Sequence, residues 1–390
     1  MTTSAATPEA PLYNKNNPFL AKVTDKGLLC KEESEKETRH IVINIEGSGL
    51  SYIPGQSIAV FPTNTPQLVT DLLEVTGFSP QSTVTLKDGT TKPLIDHLTK
   101  DLSFNRVTAK FVKAVAEKLP EGEKKTELST IIEEKEKLDA FVFTRDYVDV
   151  LKEYPEAKFT LEEFIALPGK IVPRLYSIAS SIEKHPNEVH LTVAIVRYNT
   201  HDRDKTGLAT GYLADVAPLD ENVVPIFFAP AKHFLLPEDP NTPIIMVGPG
   251  TGIAPFRAFL EQREIDKAPG KSWLFFGEQR RATDFLYEED FNQWLESGTL
   301  TRLDTAFSRD QEHKIYVQDR IRENGAEIWE WLQNGAIFYI CGDAKRMAKD
   351  VNQALIDIAA EHGGMSPEDA ETYINKTLAR EEKRYLKDVY

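Results

Sequence analysis

Three glycines at alternate positions stand where an apolar segment gives way to a predicted helix. Gly248, Gly250 and Gly252 follow the apolar segment 244–247, which is typical of a buried strand in a parallel sheet. Pro255 opens the predicted helix, whose free amide groups and positive dipole end attract an anion. Without side chains in the way, the backbone can approach that anion closely. We therefore predict a diphosphate site, with a plain strand-to-helix turn as the alternative, because the spacing differs from G-x-G-x-x-G.

A second group of polar residues follows a later predicted strand. Ser308 and Arg309 come directly after it, and neither position is acidic. An acidic residue there would favour a free ribose hydroxyl, whereas a hydroxyl beside a cation favours the 2′-phosphate of NADP. Lys314, Tyr316 and Gln318 recur at alternate positions, so we expect them to share a face and complete the pocket. A solvated loop arginine is the alternative.

Further motifs accompany these two groups along the chain. In order they are Arg-Leu-Tyr-Ser-Ile-Ala-Ser-Ser at 174–181, the glycine run at 246–257, Ser-Arg-Asp at 308–310, Lys-Ile-Tyr-Val-Gln at 314–318, Cys-Gly-Asp at 341–343 and Asp-Val-Tyr at 388–390. Together they resemble the ferredoxin–NADP reductase superfamily in its diflavin branch, and most of all its sulfite reductase (NADPH) flavoprotein subunits. The resemblance covers roughly residues 17–390.

This resemblance implies both a fold and an activity. The fold is an antiparallel FAD-binding β-barrel with an inserted helical connecting lobe, followed by a parallel-sheet α/β domain that binds NADP. The activity is hydride transfer from NADPH to FAD and then single-electron transfer to a separate acceptor, in assimilatory sulfite reduction. A general flavodoxin or ferredoxin–NADP reductase is the alternative enzyme. A redox-inert flavoprotein that senses NADPH or holds a partner in place is the alternative from another class.

The resemblance also assigns the reacting groups to Ser177, Cys341, Asp388 and Tyr390. In the family, the serine hydroxyl lies near flavin N5 and the cysteine lies beside the nicotinamide. The final aromatic residue stacks on the flavin face that nicotinamide must occupy, so its displacement is a gating step. Read alone, a strand cysteine is usually a small buried hydrophobe, and Tyr390 is a surface residue on a helical tail.

Two sets of cofactor contacts follow from the same resemblance. The FAD set is Arg174, Leu175, Tyr176, Ser177, Thr192, Val193, Ala194, Tyr198, Gly207, Leu208, Ala209, Thr210 and Tyr390. The NADP set is Gly250, Thr251, Gly252, Ser308, Arg309, Lys314, Tyr316, Gln318 and Asp350. Arg174 offers a fork of donors suited to a diphosphate, and Tyr176 a flat ring that can stack on an isoalloxazine. The chain departs from the family at Leu208, where a small residue is usual, and at Thr210, where serine is usual.

The hydrophobic periodicity divides the chain into four parts. Residues 1–17 are predicted to be a flexible arm, 18–63 and 169–235 the barrel, 64–168 the helical lobe, and 236–390 an α/β domain. The resemblance implies that this last part binds NADP and ends in a C-terminal flavin-stacking tail. Strands predicted at 244–247, 273–276, 303–306 and 337–340 alternate with helices, which indicates a parallel sheet with right-handed crossovers. Ligands of such sheets bind beyond the carboxyl ends of the strands.

Composition excludes several functions. The formal charge of −15 over 390 residues argues against nucleic acid, and no segment approaches the ~20 apolar residues that cross a bilayer. Two cysteines cannot supply an iron–sulfur cluster, and without a Cys-x-x-Cys pair we predict no metal site. The N-terminal residues show neither the basic flank nor the apolar core of a secretory signal, so we predict a cytoplasmic location. The charged stretch 31–37 is expected to be a solvated hairpin. About 17 residues precede the barrel, so we expect the acceptor to be a separate flavodoxin, FMN protein, ferredoxin or sulfite reductase haemoprotein.

Overall fold

The computed structural model describes residues 13–231 and 233–390, in which strands and helices are joined by turns and irregular loops. The strands are β1 (Phe19–Leu28), β2 (Thr38–Asn44), β3 (Ser57–Val60), β4 (Thr83–Thr85), β5 (Thr91–Pro93), β6 (Leu102–Ser103), β7 (Gly169–Lys170), β8 (Arg174–Ser177), β9 (Glu188–Ala194), β10 (Arg197–Thr200), β11 (Arg203–Thr206), β12 (Val224–Ala229), β13 (Ile244–Val247), β14 (Ser272–Glu278), β15 (Arg302–Phe307), β16 (Ile337–Gly342) and β17 (Tyr385–Val389). The α-helices are α1 (Pro66–Thr76), α2 (Leu94–Lys100), α3 (Ala109–Lys118), α4 (Glu123–Glu133), α5 (Lys135–Thr144), α6 (Tyr147–Glu153), α7 (Leu161–Ile165), α8 (Leu208–Gly211), α9 (Ala254–Ile265), α10 (Arg281–Asp284), α11 (Glu288–Ser297), α12 (Val317–Glu323), α13 (Gly325–Gln333), α14 (Met347–Gly363) and α15 (Pro367–Thr372). A 3-10 turn at Gly250–Ile253 and π-helical turns at Tyr212–Val216 and Tyr373–Glu381 complete the set. Within this described part, no helix is both long and apolar enough to cross a membrane.

These elements fall into two units. The first unit comprises Met1–Ala59, Leu175–Ala194 and Leu219–Tyr390, and the second comprises Val60–Arg174 and Ile195–Pro218. The predicted flexible arm at 1–17 lies outside the described residues as far as position 12. Residues 13–17 form a turn in which Asn14 and Asn17 exchange backbone hydrogen bonds of 3.0 Å.

Six antiparallel strands build the predicted barrel, in the order β8-β3-β12-β1-β2-β9. Directly after β8, a bridge between Ile178 and Leu191 of β9 brings the two ends of this order together. Along β2, Ile41 and Ile43 are fully buried, because alternate residues of a strand face the same side. The opposite face of β9 carries buried polar residues, His190 among them, since other elements of the first unit cover it.

The second unit is mainly helical. Its core contains large aromatic side chains that are fully buried, including Phe104, Phe111, Tyr147 and Phe164. Helix α1 begins and ends with the expected residue types: Thr65 accepts a hydrogen bond from the amide of residue 68, and Gly77 takes the left-handed conformation with φ of 71°.

A five-stranded parallel sheet in the order β15-β14-β13-β16-β17 forms the rest of the first unit. Ile245 and Val247 face one hydrophobic cluster, while Ile244 and Met246 face the other. Because helices cover both faces, β13 is apolar at every position.

The predicted fold class is confirmed, and four of the five strands occupy the expected segments. The fifth, β17 (Tyr385–Val389), is not among the predicted strands: the segment predicted as a C-terminal flavin-stacking tail forms an edge strand paired with β16.

Candidate active site

A cavity of about 470 Å³ lies in the first unit, beyond the carboxyl ends of the parallel strands. We call it the nucleotide cavity. Its lining includes most of the predicted NADP contacts: Gly250, Ser308, Arg309, Lys314, Tyr316, Gln318 and Asp350. Thr251 and Gly252 adjoin Gly250 but do not line the cavity. The sheet therefore brings together residues that are a hundred positions apart in sequence, as its topology predicts.

Glycine is required at these three positions for different structural reasons. Gly250 has a φ of +58°, and the nearest atom to an added Cβ would be a Glu278 oxygen at 3.5 Å, so this backbone is open to a ligand. A Cβ on Gly252 would lie 2.1 Å from the carbonyl oxygen of Cys341, and one on Gly248 would lie 2.6 Å from Gly252. The absence of a side chain at Gly248 and Gly252 is therefore already required by packing within the protein, and the NADP contact of Gly252 stays a prediction. These two make room for the chain's own backbone.

Two cations of the nucleotide cavity are held by acidic partners. Arg309 contacts Glu35, and the Lys36 ammonium donates to both carboxylate oxygens of Glu278 at 2.8 and 2.6 Å. Glu35 and Lys36 belong to the stretch 31–37, which the charge pattern predicts to be solvated. Most of the stretch is exposed, as predicted, but Lys36 also lines the cavity, and no spacing in the sequence points to that contact.

Lys314, Tyr316 and Gln318 line the cavity for a different reason from the predicted one. Their alternate spacing suggests a strand face, but Tyr316 is the N-cap of α12 and Gln318 lies in its first turn. The Gln318 amide donates to Asp350 over 3.4 Å. The start of a helix, and not a pleated strand, places these side chains at the cavity wall.

Three of the predicted reacting residues meet at one carboxylate, and we call them the Asp388 cluster. Ser177 Oγ donates to Asp388 Oδ2 at 2.7 Å, and the thiol of Cys341 donates to the same oxygen at 3.9 Å. The parallel register of β16 and β17 sets Cys341 directly opposite Asp388. Burial, together with the charge of Asp388, raises the pKa of the Cys341 thiol well above its usual value. The group is therefore a neutral donor at neutral pH.

Tyr390 is fixed through its backbone while its side chain stays accessible. Its amide donates to Gly342 O and its carbonyl accepts from the amide of Ala344, both at 3.1 Å. The hydroxyl lies 2.9 Å from Thr251 Oγ1, and 65% of the residue is exposed. Chain ends usually fray, so this pairing holds the ring in a defined place, as a stacking role requires.

The predicted FAD contacts of β8 and β9 differ in exposure. On β8, Arg174 and Leu175 are exposed, and Tyr176 and Ser177 are half-buried. On β9, Ala194 is exposed, whereas Val193 is buried and Thr192 bonds the hydroxyl of Tyr287 at 2.8 Å. The side chains of Thr192 and Val193 are thus occupied by the chain's own packing, and only their backbone remains for a cofactor. Their assignment stays a prediction.

The remaining FAD contacts lie in the second unit. Tyr198 on β10 is 40% exposed, and the segment 207–210 starts α8, with Ala209 buried. A Cβ on Gly207 would lie 2.6 Å from Thr210 Oγ1, so this glycine accommodates its own helix. Thr210 Oγ1 accepts from the Val196 amide at 3.2 Å and donates to the carbonyl oxygen of Gly207 at 3.5 Å. Its contact with FAD therefore stays a prediction.

The residues present fit the two predicted cofactors. In the first unit, the side chain of Leu175 is 62% exposed and offers an apolar surface that suits a flat ring system. The open backbone of Gly250 and the guanidinium of Arg309 suit a phosphorylated dinucleotide. This is the chemistry that FAD and NADP present.

Comparisons with known proteins agree with this geometry. Residues 11–212 match the FAD binding domain family, and residues 246–353 match the oxidoreductase NAD-binding domain family. The chain is 43% identical over 380 residues to the sulfite reductase [NADPH] flavoprotein alpha-component of Bacillus subtilis (strain 168), covering 97% of this chain and 62% of that protein. The same component from Mannheimia succiniciproducens is 43% identical over 378 residues, covering 97% of this chain and 62% of that protein. The component from Yersinia pestis is 42% identical over 388 residues, covering 100% of this chain and 62% of that protein.

The chain thus spans less than two thirds of the length of these relatives. The two domain matches confirm the predictions of an oxidoreductase with FAD and NADPH as its cofactors.

Proposed function

The chain belongs to the FAD binding domain family, and on that premise we propose that it is an NADPH-dependent flavoprotein reductase that moves a hydride from NADPH to FAD. The observation that carries this proposal is the Asp388 cluster, in which Asp388 collects a hydroxyl and a thiol. Asp343, two residues beyond Cys341, lines the nucleotide cavity. The cluster is therefore next to the residues suited to NADPH.

Each residue of the cluster has a physical role in this proposal. Bound FAD supplies a ring that accepts a hydride and releases electrons one at a time. The carboxylate of Asp388 fixes the orientation of the Ser177 hydroxyl, because its Oδ2 atom accepts a hydrogen bond from Ser177 Oγ at 2.7 Å. Cys341 is small, neutral and fully buried, so it can border a nicotinamide ring without adding charge. Such fixed dipoles lower the barrier because they need no reorganisation during the reaction.

We further propose that the electrons leave to a separate acceptor and that the process is sulfite reduction. The support is the name of the relatives, which are flavoprotein components of an NADPH sulfite reductase. A sulfite reductase haemoprotein, or an FMN protein between the two, is the acceptor that this name implies. Flavodoxin and ferredoxin are the alternatives for a general reductase.

Anaerobic stopped-flow absorbance tests the proposal. The purified protein with bound FAD is mixed with NADPH and then with flavodoxin, ferredoxin, an FMN protein or a sulfite reductase haemoprotein. We expect rapid bleaching of FAD, followed by reoxidation on addition of one carrier, which identifies the partner. FAD that stays oxidised in the presence of NADPH would overturn the reductase proposal and favour a sensing or scaffolding flavoprotein.

A further inference from the structure

Three histidines of the first unit lie close together: His40 on β2, His185 before β9 and His190 on β9. His190 Nδ1 lies 3.2 Å from His40 Nε2, and His190 Nε2 lies 3.1 Å from the carboxylate of Glu188. The ring of His185 is 4.1 Å from that of His190 between centroids. One nitrogen or oxygen atom from each of His185, Glu188 and His190 lies within 4.8 Å of the others.

We propose that His185, Glu188 and His190 bind a zinc ion. Two imidazoles and one carboxylate, with an open position for water, are an established zinc donor set. Zinc bonds of ~2.0–2.2 Å place tetrahedral donor atoms about 3.3–3.6 Å apart, and the His190–Glu188 pair is already at 3.1 Å. The side chains of His185 and Glu188 are 25% and 38% exposed, so they can rotate to close the set.

The surroundings of both imidazoles suit metal binding. The Nε2 atom of His185 is 3.0 Å from Oε1 of Glu261, whose carboxylate is fully buried, which leaves Nδ1 of His185 for the metal. The Nδ1 atom of His190 is held by His40, which leaves Nε2 for the metal. A metal-binding histidine is normally oriented by a partner on its second nitrogen, and here both partners are in place.

The hydrogen bonds behind His190 can adapt to the loss of its Nε2 proton. In the metal-free state Glu188 accepts from His190 Nε2, so His190 Nδ1 accepts from His40 Nε2, and His40 Nδ1 accepts from the Tyr287 hydroxyl at 2.9 Å. Imidazole and hydroxyl groups donate or accept as needed. When a metal replaces the Nε2 proton, each bond of this chain reverses and no buried group loses its partner.

The local charge also favours a cation. The guanidinium of Arg257 pairs with two carboxylates, Glu261 at 2.9 Å and Asp290 at 2.8 Å, and the carboxylate of Glu188 lies against His190. A divalent ion beside His190 would therefore be attracted by the excess negative charge. The sequence gives little sign of this site, because the prediction of no metal rests on the absence of paired cysteines, and the ligands here are histidine and glutamate.

A zinc titration of the full-length protein tests the proposal. Protein treated with a chelator is titrated with Zn²⁺ at pH 7.5 in competition with a chromophoric chelator of known affinity. We expect one zinc per chain, bound in the micromolar range or tighter, and a loss of at least tenfold in affinity in each of His185→Gln and Glu188→Gln. His201→Gln, at an exposed position of the second unit, is the matched control and should bind as the unaltered chain does.

Absorption of Co²⁺ in place of zinc provides a second readout. The site should give the strong visible bands of a four- or five-coordinate ion, and His185→Gln should abolish them. The proposal is overturned if zinc does not bind stoichiometrically, if both ligand variants bind like the unaltered chain, or if Co²⁺ shows only the weak spectrum of a hydrated ion. Because neither readout depends on flavin reduction, the result is independent of the reductase proposal.

Discussion

The Asp388 cluster and the nucleotide cavity adjoin each other in the first unit but are built in opposite ways. In the cluster, strand register places a buried thiol opposite a carboxylate, and a serine hydroxyl donates to the same oxygen. In the cavity, partly exposed cations are held by acidic side chains of the chain itself, Glu35 on Arg309 and Glu278 on Lys36.

This difference separates a preorganised site from one that must exchange partners. The hydrogen-bond donors of the Asp388 cluster are already in place, so we expect the cluster to affect the rate of FAD reduction more than the affinity for NADPH. On the proposed function, a phosphate that enters the nucleotide cavity would replace Glu35 as the partner of the Arg309 guanidinium. Exposed ion pairs contribute only about 0.2–1 kcal/mol. Breaking the Arg309–Glu35 pair therefore costs little free energy and should change the affinity for the nucleotide only slightly.

The largest effect is expected from Asp388→Asn. The amide lacks the negative charge and cannot accept from Ser177 and Cys341 equally well, so both donors lose their fixed orientation. We expect FAD reduction by NADPH to slow by about 10²-fold or more, the range of positioned proton donors and acceptors, with NADPH affinity nearly unchanged. Rapid-mixing kinetics at the flavin absorbance measures both quantities.

Asp202→Asn is the control for this change, because the site is an exposed loop position whose φ of 57° asparagine also accommodates. It should reduce FAD at the normal rate. If Asp388→Asn weakens NADPH binding but leaves the reduction step unchanged, the assignment of the cluster to the reaction is wrong.

The next effect is expected from Arg309→Ala. A charge-assisted hydrogen bond contributes roughly 1.5–3 kcal/mol, so NADPH binding should weaken roughly 10- to 150-fold, and NADH binding much less. Isothermal titration with both nucleotides checks this, with Arg322→Ala on the exposed surface of α12 as the control. Equal losses for the two nucleotides would show that Arg309 does not contact the 2′-phosphate.

A smaller effect of opposite sign is expected from Glu35→Gln. Removing the carboxylate that competes for Arg309 should strengthen NADPH binding by up to about fivefold, the equivalent of about 1 kcal/mol. Glu33→Gln in the same exposed hairpin should have no effect. In the Arg309→Ala background the gain should vanish, and a gain that persists there would mean that Glu35 acts by another route.

The smallest effect is expected from alkaline pH on Cys341. Because the folded chain raises the pKa of this thiol, it should stay protonated as the pH rises from 7 to 9. Both cysteines are buried, so Ellman's reagent at pH 8 should react slowly with the native protein and rapidly with two thiols in guanidinium chloride. One fast thiol in the native protein would show that the cluster is open to solvent.

The sequence predicts the parallel sheet better than it predicts the end of the chain. The segment Ile244–Val247 is continuously apolar because helices cover both its faces, and that pattern is visible in one dimension. In β17, Lys387 and Asp388 interrupt the apolar residues, so the sequence pattern does not indicate a strand. The strand depends on pairing with β16, which is a tertiary contact.

Contacts that depend on tertiary structure could not be predicted. Lys36 meets Glu278 across 242 positions, and no spacing connects them. The alternate spacing of Lys314, Tyr316 and Gln318 suggests one face of a strand. In the structure these residues line the cavity because a helix begins there, with Tyr316 as its N-cap. The cofactor assignments themselves came from the resemblance, which supplies residue roles that local chemistry leaves open.

Stereospecific deuteration of NADPH tests the central claim, direct hydride transfer to FAD beside Asp388. FAD bleaching is followed anaerobically with NADPH that carries deuterium at either of the two hydrogens on nicotinamide C4, in the unaltered chain and in Asp388→Asn. We expect only one of the two isotopomers to slow bleaching, with an isotope effect at least as large in the slower variant. Bleaching that is insensitive to deuterium at both positions in Asp388→Asn, although the rate has fallen, would contradict the account.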